Sequence, residues 1–226
     1  MLSTVIPEKR SKASVKKQGR PSDPVKRQAI VAAAARSFFD AGFAASSIEQ
    51  IAADAGVSKV TIYNHFGDKR ALFTAAVELE CEKMRGYFSL DDMPRGSIRN
   101  RLMAIGEGMA AFLSRPEMIQ FERRIAAETE REPAIGEAFL KAGPWRMKNA
   151  FSAFLAHAAS IGELIVDDPD LAAEQFVSMC KGMGDLERRF GADVSEETSR
   201  HRIKGAVAVF LKTYGAEADH GAAPRA

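Results

Sequence analysis

Apolar side chains recur at helical spacing along almost the whole chain, and the breaks between runs carry helix-capping residues. Asp23 and Pro24, a good cap and a proline suited to the first turn, open a helix in which Val25, Ala29, Ala32, Ala33 and Phe38 or Phe39 share a face until Gly42. Ser46 or Ser47 opens a second. Ser47 followed three residues later by Gln50 fits a capping box, with Ile48, Ile51, Ala52 and Ala55 on one side until Gly56. Ser58 opens a third that runs to about His65, with Val57, Ile62 and Phe66 spaced to face inward. Asp68 opens a fourth that carries Leu72, Phe73, Ala76, Val77 and Leu79 toward Arg85.

The same grammar continues. Ser97 precedes Leu102, Ile105, Met109, Phe112 and Leu113; Pro116 restarts the chain through Ile119, Phe121 and Ile125; Pro133 or Pro144 opens a run through Trp145, Phe151, Phe154 and Leu155 to Gly162. Asp168 and Pro169 begin a helix bearing Leu171, Phe176, Met179, Cys180, Met183, Leu186 and Phe190, and a last one spans about Ser195 to Tyr214. No stretch alternates as a strand would, and no internal repeat is visible. The fold class expected is all-α.

Composition narrows this further. With 226 residues and 46% hydrophobic content the chain can build real cores, as one large domain or two modest ones. The apolar runs at 29–35 and 153–166 are interrupted well short of the roughly 20 residues that span a bilayer, so no membrane segment is expected. The early Lys9, Arg10, Lys12, Lys16 and Lys17 lack the apolar stretch of a secretion signal, which predicts a cytoplasmic protein. Cys81 and Cys180 stand far apart in helical patterns and read as two reduced thiols. The net charge of +2 hides an asymmetry: residues 1–70 hold twelve Lys and Arg against six Asp and Glu, residues 71–226 twenty against twenty-four. A basic first third suits a polyanion. Residues 1–23, rich in Ser, Lys, Arg and Pro, read as a disordered basic arm, and residues 216–226 as a disordered tail.

Residues 46–66 thus give a capped helix, a glycine turn and a second short helix, which is helix-turn-helix spacing. Ile48, Ile51, Val57, Ile62 and Phe66 would fix the angle between the two helices, leaving Ser58, Lys59, Val60, Thr61, Tyr63 and Asn64 outward. That face fits a major groove: Lys reaches guanine acceptors or phosphate, Val and Thr methyls touch thymine, and Asn pairs with the adenine edge. Tyr63, His65 and Lys69 are placed to donate to phosphates, Lys69 at the start of the next helix. Plain solvent-facing residues on a small helical turn satisfy the same spacing.

The longer run "GFAASSIEQIAADAGVSKVTIYNHFGDKRALF", residues 42–73, resembles the DNA-binding domain of the TetR family of bacterial transcriptional regulators, most tellingly in "IAADAGVS" and "YNHFGDK". Val60, Asp68 and Arg70 depart from residues common in that family, and Val60 with Asn64 puts the operator beyond any borrowed rule. The resemblance implies that the first helix touches the DNA backbone at its N-terminal end, where Lys26 and Arg27 sit, and that Ser47 does so from the second. It divides the chain into a DNA-binding domain at 24–70, a connecting helix and loop at 71–94, and a ligand-binding and dimerisation domain at 95–215. In the short extended element Gly19-Arg20-Pro21 of the arm, Arg20 would reach an A·T-rich minor groove or merely solubilise the tail.

From about residue 95 the chain resembles the C-terminal half of the same family, whose last two long helices pair with a second copy and whose remaining helices enclose a cavity. The implied partners are a double-stranded DNA operator, a second subunit and a small-molecule effector, without a cofactor. Gly182 and Gly184 would let the paired helices approach closely. Met103, Met109, Phe112, Phe121, Trp145, Phe151, Phe154, Met179 and Met183 are candidate pocket residues, with His157, Gln120 or Arg123 as polar anchors. Apolar residues at this spacing serve equally as core.

Other motifs fail. "GEGMAA" at 106–111 matches a dinucleotide pattern by letters, yet no strand precedes it. His65, His157, His201 and His220 have no zinc spacing, and Asp167, Asp168 and Asp170 lack the rest of a calcium loop. No nucleophile elbow or phosphate loop is found, so catalysis is not expected. Three rivals remain: a non-specific architectural DNA binder, an enzyme working through its helical half, and a regulator controlled by a protein partner.

Overall fold

Six helices begin where a short polar side chain accepts a hydrogen bond from the backbone N–H three residues on: Ser47 from Gln50, Ser58 from Thr61, Asp68 from Ala71, Ser97 from Asn100, Asp168 from Leu171 and Ser195 from Thr198. Each such cap contributes about 1 kcal/mol. Prolines in the first turn open α6, α7, α8 and α9, where their missing N–H costs nothing. The computed structural model describes residues 23–85 and 96–216. Among them run α1 (Asp23–Ala41), α2 (Ile48–Asp54), α3 (Lys59–Phe66), α4 (Lys69–Arg85), α5 (Ile98–Leu113), α6 (Pro116–Thr129), α7 (Pro133–Ala142), α8 (Pro144–Ser160), α9 (Pro169–Arg189) and α10 (Glu196–Tyr214). The only sheet-like pairing there is a single bridge between Leu164 and Gly215.

The all-α expectation holds, with local differences. Pro133 and Pro144 each open a helix of their own, where the spacing left one or the other. Gln50 does not complete a capping box: its side chain turns to Asp54 at 2.8 Å. The buried stripe of α1 is Ile30, Ala34 and Phe38, while Val25 is exposed. A run as apolar as 29–35 has no unique face of its own. Packing against α4 selects one.

Two apolar clusters form. One joins α5, α8, α9 and α10 through Phe151, Phe154, Phe176 and Phe210. The other begins in the N-terminal head but does not stop there: Leu72, Phe73 and Val77 of α4 and Met118, Phe121 and Ile125 of α6 share it with Ile30, Phe38, Ile51 and Ile62. Helix α9 carries a kink at Gly182, whose φ of 47° and ψ of −149° are not helical. Gly184 is buried against the Arg202 guanidinium of α10, so its missing side chain serves packing within this chain. Gly106, inside the dinucleotide look-alike, lets α5 approach Ile203, where an added Cβ would lie 2.7 Å from Cγ2.

Phe176 is fully buried, with its ring centroid 5.1 Å from that of Phe151 and 5.3 Å from that of Phe210. Phe176→Ala is expected to cost about 3–5 kcal/mol through lost burial and a cavity. Urea unfolding followed by circular dichroism checks this, and a loss below about 1 kcal/mol would contradict the packing described.

Candidate DNA-binding surface

Ile48 and Ile51 of α2 and Ile62 of α3 are buried in the head, which fixes the two helices relative to each other. Between them Gly56, at φ 65°, makes the left-handed turn, and Val57 donates to the Ala52 carbonyl at 3.0 Å. Gly67 ends α3 at φ 80°, and Asp68 then caps α4 by accepting from Ala71 N–H at 2.7 Å. The glycines that bracket this short polar helix set the turns that aim its outer ridge.

On that ridge Lys59, Val60, Tyr63 and Asn64 are exposed. Thr61 is half-buried and hydrogen-bonded to the Ser58 hydroxyl at 2.8 Å, so both belong to the cap of α3 as well as to its surface. His65 is half-buried, 6.1 Å between ring centroids from Phe66. Ser47 is exposed at the start of α2. Lys26 is half-buried on α1, and the Arg27 guanidinium lies 5.1 Å over the Phe66 ring, tying α1 to the end of α3. Lys69 is held inward, donating to the Ala44 carbonyl at 3.3 Å and lying 4.7 Å over the Phe43 ring. Burial lowers its pKa, against the opposing pull of Glu128 and Glu132. Arg20 of the arm lies outside the described residues.

One acid stands on this surface that motif reading passed over. Glu49 of α2 forms an ion pair with Lys59, and its other oxygen accepts from the Ser47 hydroxyl at 3.1 Å. The hydrogen bond from Lys59 leads the causes that hold the Glu49 carboxyl down to about 2, and the same bond raises Lys59.

Helix α6 ties the head to the rest of the chain. Arg124 donates to the Phe39 carbonyl at 2.7 Å near the end of α1 and Glu128 accepts from Ala44 N–H at 3.0 Å; just past this helix, Glu132 at the start of α7 pairs with Arg70 of α4 at 2.5 Å. Phe39 and Phe121 stack at 3.9 Å and 11°. Behind that stack opens a cavity of about 390 Å³, lined by residues of α1, α4, α5, α6, α7, α8 and α9.

Five of the candidate pocket residues line it: Met109, Phe112, Phe121, Trp145 and Phe151. Met103, Phe154 and Met179 pack into the C-terminal core instead, and His157 and Met183 are exposed away from the cavity. Gln120 and Arg123 are exposed too, Arg123 donating to the Arg188 carbonyl at 2.5 Å. Phe39, Phe139, Met118 and Met147 complete the apolar wall. Its polar groups are chiefly Glu80, Glu122, Lys148 and Lys181. Burial raises the Glu122 carboxyl, opposed by Arg189 at 3.4 Å. No cluster among the described residues could hold a metal ion, and no helix among them is long and apolar enough to cross a membrane.

This geometry, a helix-turn-helix head joined through one helix to a hollow helical body, defines a class of DNA-binding regulator, and comparison with known proteins agrees. Residues 30–76 match the model of the tetR family of bacterial regulatory proteins, and residues 100–216 match the C-terminal domain of AefR-like transcriptional repressors. The chain belongs to the TetR family of transcriptional regulators, DNA-binding proteins of the repressor type, not enzymes. Over 53 residues, 24% of this chain, it is 42% identical to the uncharacterised helix-turn-helix regulator YerO of Bacillus subtilis, a match spanning 18% of that protein. A TetR-family regulator from Mesorhizobium loti superposes with a TM-score of 0.73 at 26% identity, over 87% of this chain and 100% of its own. The flavonoid-responsive regulator FrrA gives 0.66 at 31% identity, over 84% and 97%.

Cys180 is buried and Cys81 half-buried, and desolvation is the first cause acting on each thiol. Desolvation pushes Cys81, on the cavity wall, up to about 11, and Cys180 up to about 12. At pH 7.5 both are expected to react with an aromatic disulfide reagent at least about tenfold more slowly than free cysteine, with full reactivity in urea. Fast labelling of the native protein would contradict the burial.

Proposed function

We propose that the protein works as a homodimer that binds a two-fold-related operator and is released by an aromatic small molecule seated in the cavity. The observation that carries this is the position of Phe39: it belongs to the first helix of the head, lines the cavity and stacks on Phe121 of α6. An effector in that space touches the head directly. Release requires only that the effector prefer the shape that does not bind DNA, and the coupling is reciprocal. A partner-controlled regulator would favour a filled body, and a cavity of about 390 Å³ speaks against that rival.

Dimerisation is supported by apolar side chains left in solvent on the last two long helices and the end of α9: Leu171, Met183, Leu186, Phe190 and Val209, with Phe190 84% exposed. A single short recognition helix reads few base pairs. Two related by a two-fold read half-sites about 34–36 Å apart. The aromatic wall and the flavonoid responsiveness of FrrA, at 31% identity, favour a planar aromatic effector.

Selection from a randomised duplex library, repeated with variants, tests the reading of DNA. Asn64→Ala or Thr61→Ala is expected to change which bases are enriched. Lys69→Ala is expected to weaken all duplexes alike and to lower the slope of log affinity against log salt by about 0.9. An enriched site without two-fold symmetry, or uniform affinity for every duplex, would overturn the proposal in favour of an architectural binder.

Trp145 is the only tryptophan and sits on the cavity wall with 45% exposure, so it reports occupancy. Titration with flavonoids is expected to quench it and to weaken operator binding about 5–150-fold. Phe39→Leu, which keeps apolar volume but loses the stack, should retain the quench and lose most of the release. Release without any change at Trp145 would place the effector elsewhere.

A further inference from the structure

An acid on a surface that meets a polyanion calls for explanation, because it repels phosphate and weakens binding to every sequence alike. Glu49 is such an acid. Its side chain is 65% exposed, on the first turn of α2, and both of its oxygens are engaged: one by Lys59 at the start of α3, the other by the Ser47 hydroxyl at 3.1 Å. Lys59 in turn is 48% exposed, and its ammonium lies 5.8 Å from the centroid of the Tyr63 ring. An exposed ion pair of this kind adds little to stability, so its retention on the reading face needs another reason.

Hydrogen-bonding chemistry supplies one. A carboxylate only accepts and an ammonium only donates, so the pair presents a donor beside an acceptor in fixed order. The major-groove edge of a G·C pair presents the complement: guanine N7 and O6 accept, and the neighbouring cytosine N4 amine donates. An A·T pair also sets an acceptor beside a donor, but it offers the ammonium a single acceptor there in place of guanine's adjacent two and carries a methyl next to the thymine oxygen, so it is the poorer match. We propose that Glu49 and Lys59 together read one G·C base pair in each half-site, Lys59 donating to guanine and Glu49 accepting from the cytosine amine. Ser47 holds the carboxylate in place from the side away from Lys59. Glu49 is a carboxylate at neutral pH and only accepts, and its bond to Lys59 lowers its pKa further. Away from that base pair Glu49 keeps Lys59 occupied, which removes one cation from the attraction to arbitrary DNA.

This rests on the head's binding to DNA and adds a residue to its specificity. The test is library selection with the full-length protein, its Glu49→Ala variant and its Lys59→Gln variant, each checked by circular dichroism for an unchanged melt. Wild-type protein is expected to enrich a half-site with one position fixed as G·C. Both variants should relax that same position by about tenfold or more and leave the others intact. Glu49→Ala should also bind a scrambled duplex more tightly than wild type, with a salt slope steeper by about 0.9 as Lys59 becomes free for phosphate. An enriched wild-type site with unchanged preferences in both variants overturns the role of Glu49 while leaving the head's function intact. Failure of wild type to enrich any site overturns the DNA reading itself, and this inference with it.

Discussion

The stack of Phe39 on Phe121 is the contact on which the rest of the molecule depends. Its ring planes are 11° apart with centroids at 3.9 Å, and it belongs at once to the core of the DNA-binding head and to the wall of the cavity. A close-packed interior transmits a displacement instead of absorbing it, because side chains held in rotamer minima have few voids to move into. Moving Phe121 therefore disturbs Phe39, and with it the packing of Phe38 of α1 against Phe73 of α4. The polar ties along α6 make the connection directional. Arg124 and Glu128 bond the backbone of Phe39 and Ala44, so α6 grips the head by its main chain.

That arrangement also explains why the head has no core of its own. Two of its three helices, of 7 and 8 residues, fall well below the length at which isolated helices persist in water. They borrow apolar surface from α4 and α6, and the second cluster runs without a break from Ile62 to Phe121 and Ile135. The head therefore relies on the body for its stability.

Much of this was legible in the residues, and what was not had a physical cause. Caps at Ser47, Ser58, Ser97, Asp168 and Ser195 are local: the side chain bonds a backbone group three positions away, so sequence alone specifies them. The distinction between pocket and core is not local. Phe151 and Phe154 stand three residues apart on α8 with ring centroids 5.9 Å from each other, yet only the first reaches the cavity. Phe39 went unassigned to the pocket because it lies in a segment whose motif points to DNA. Glu49 was passed over for a related reason. An acid in the first turn of a helix is ordinary, and its partner Lys59 is ten positions away across the turn.

The distribution of charge bears on how such a protein finds its site. Residues 1–70 are basic and the remainder acidic, so the long-range field orients the head toward a duplex and turns the body away. Within the head, however, the cations are not simply displayed. Lys59 is paired with Glu49, Arg70 with Glu132, Arg27 lies over Phe66, and Lys69 is tucked against Phe43 and the Ala44 carbonyl. Any of these cations that met phosphate would first have to give up its partner within the protein, which would lower the yield of indiscriminate contact more than that of a matched site offering several partners together. Restraint of this kind trades raw affinity for a larger ratio between specific and non-specific binding. That ratio governs occupancy when a genome offers a vast excess of wrong sites.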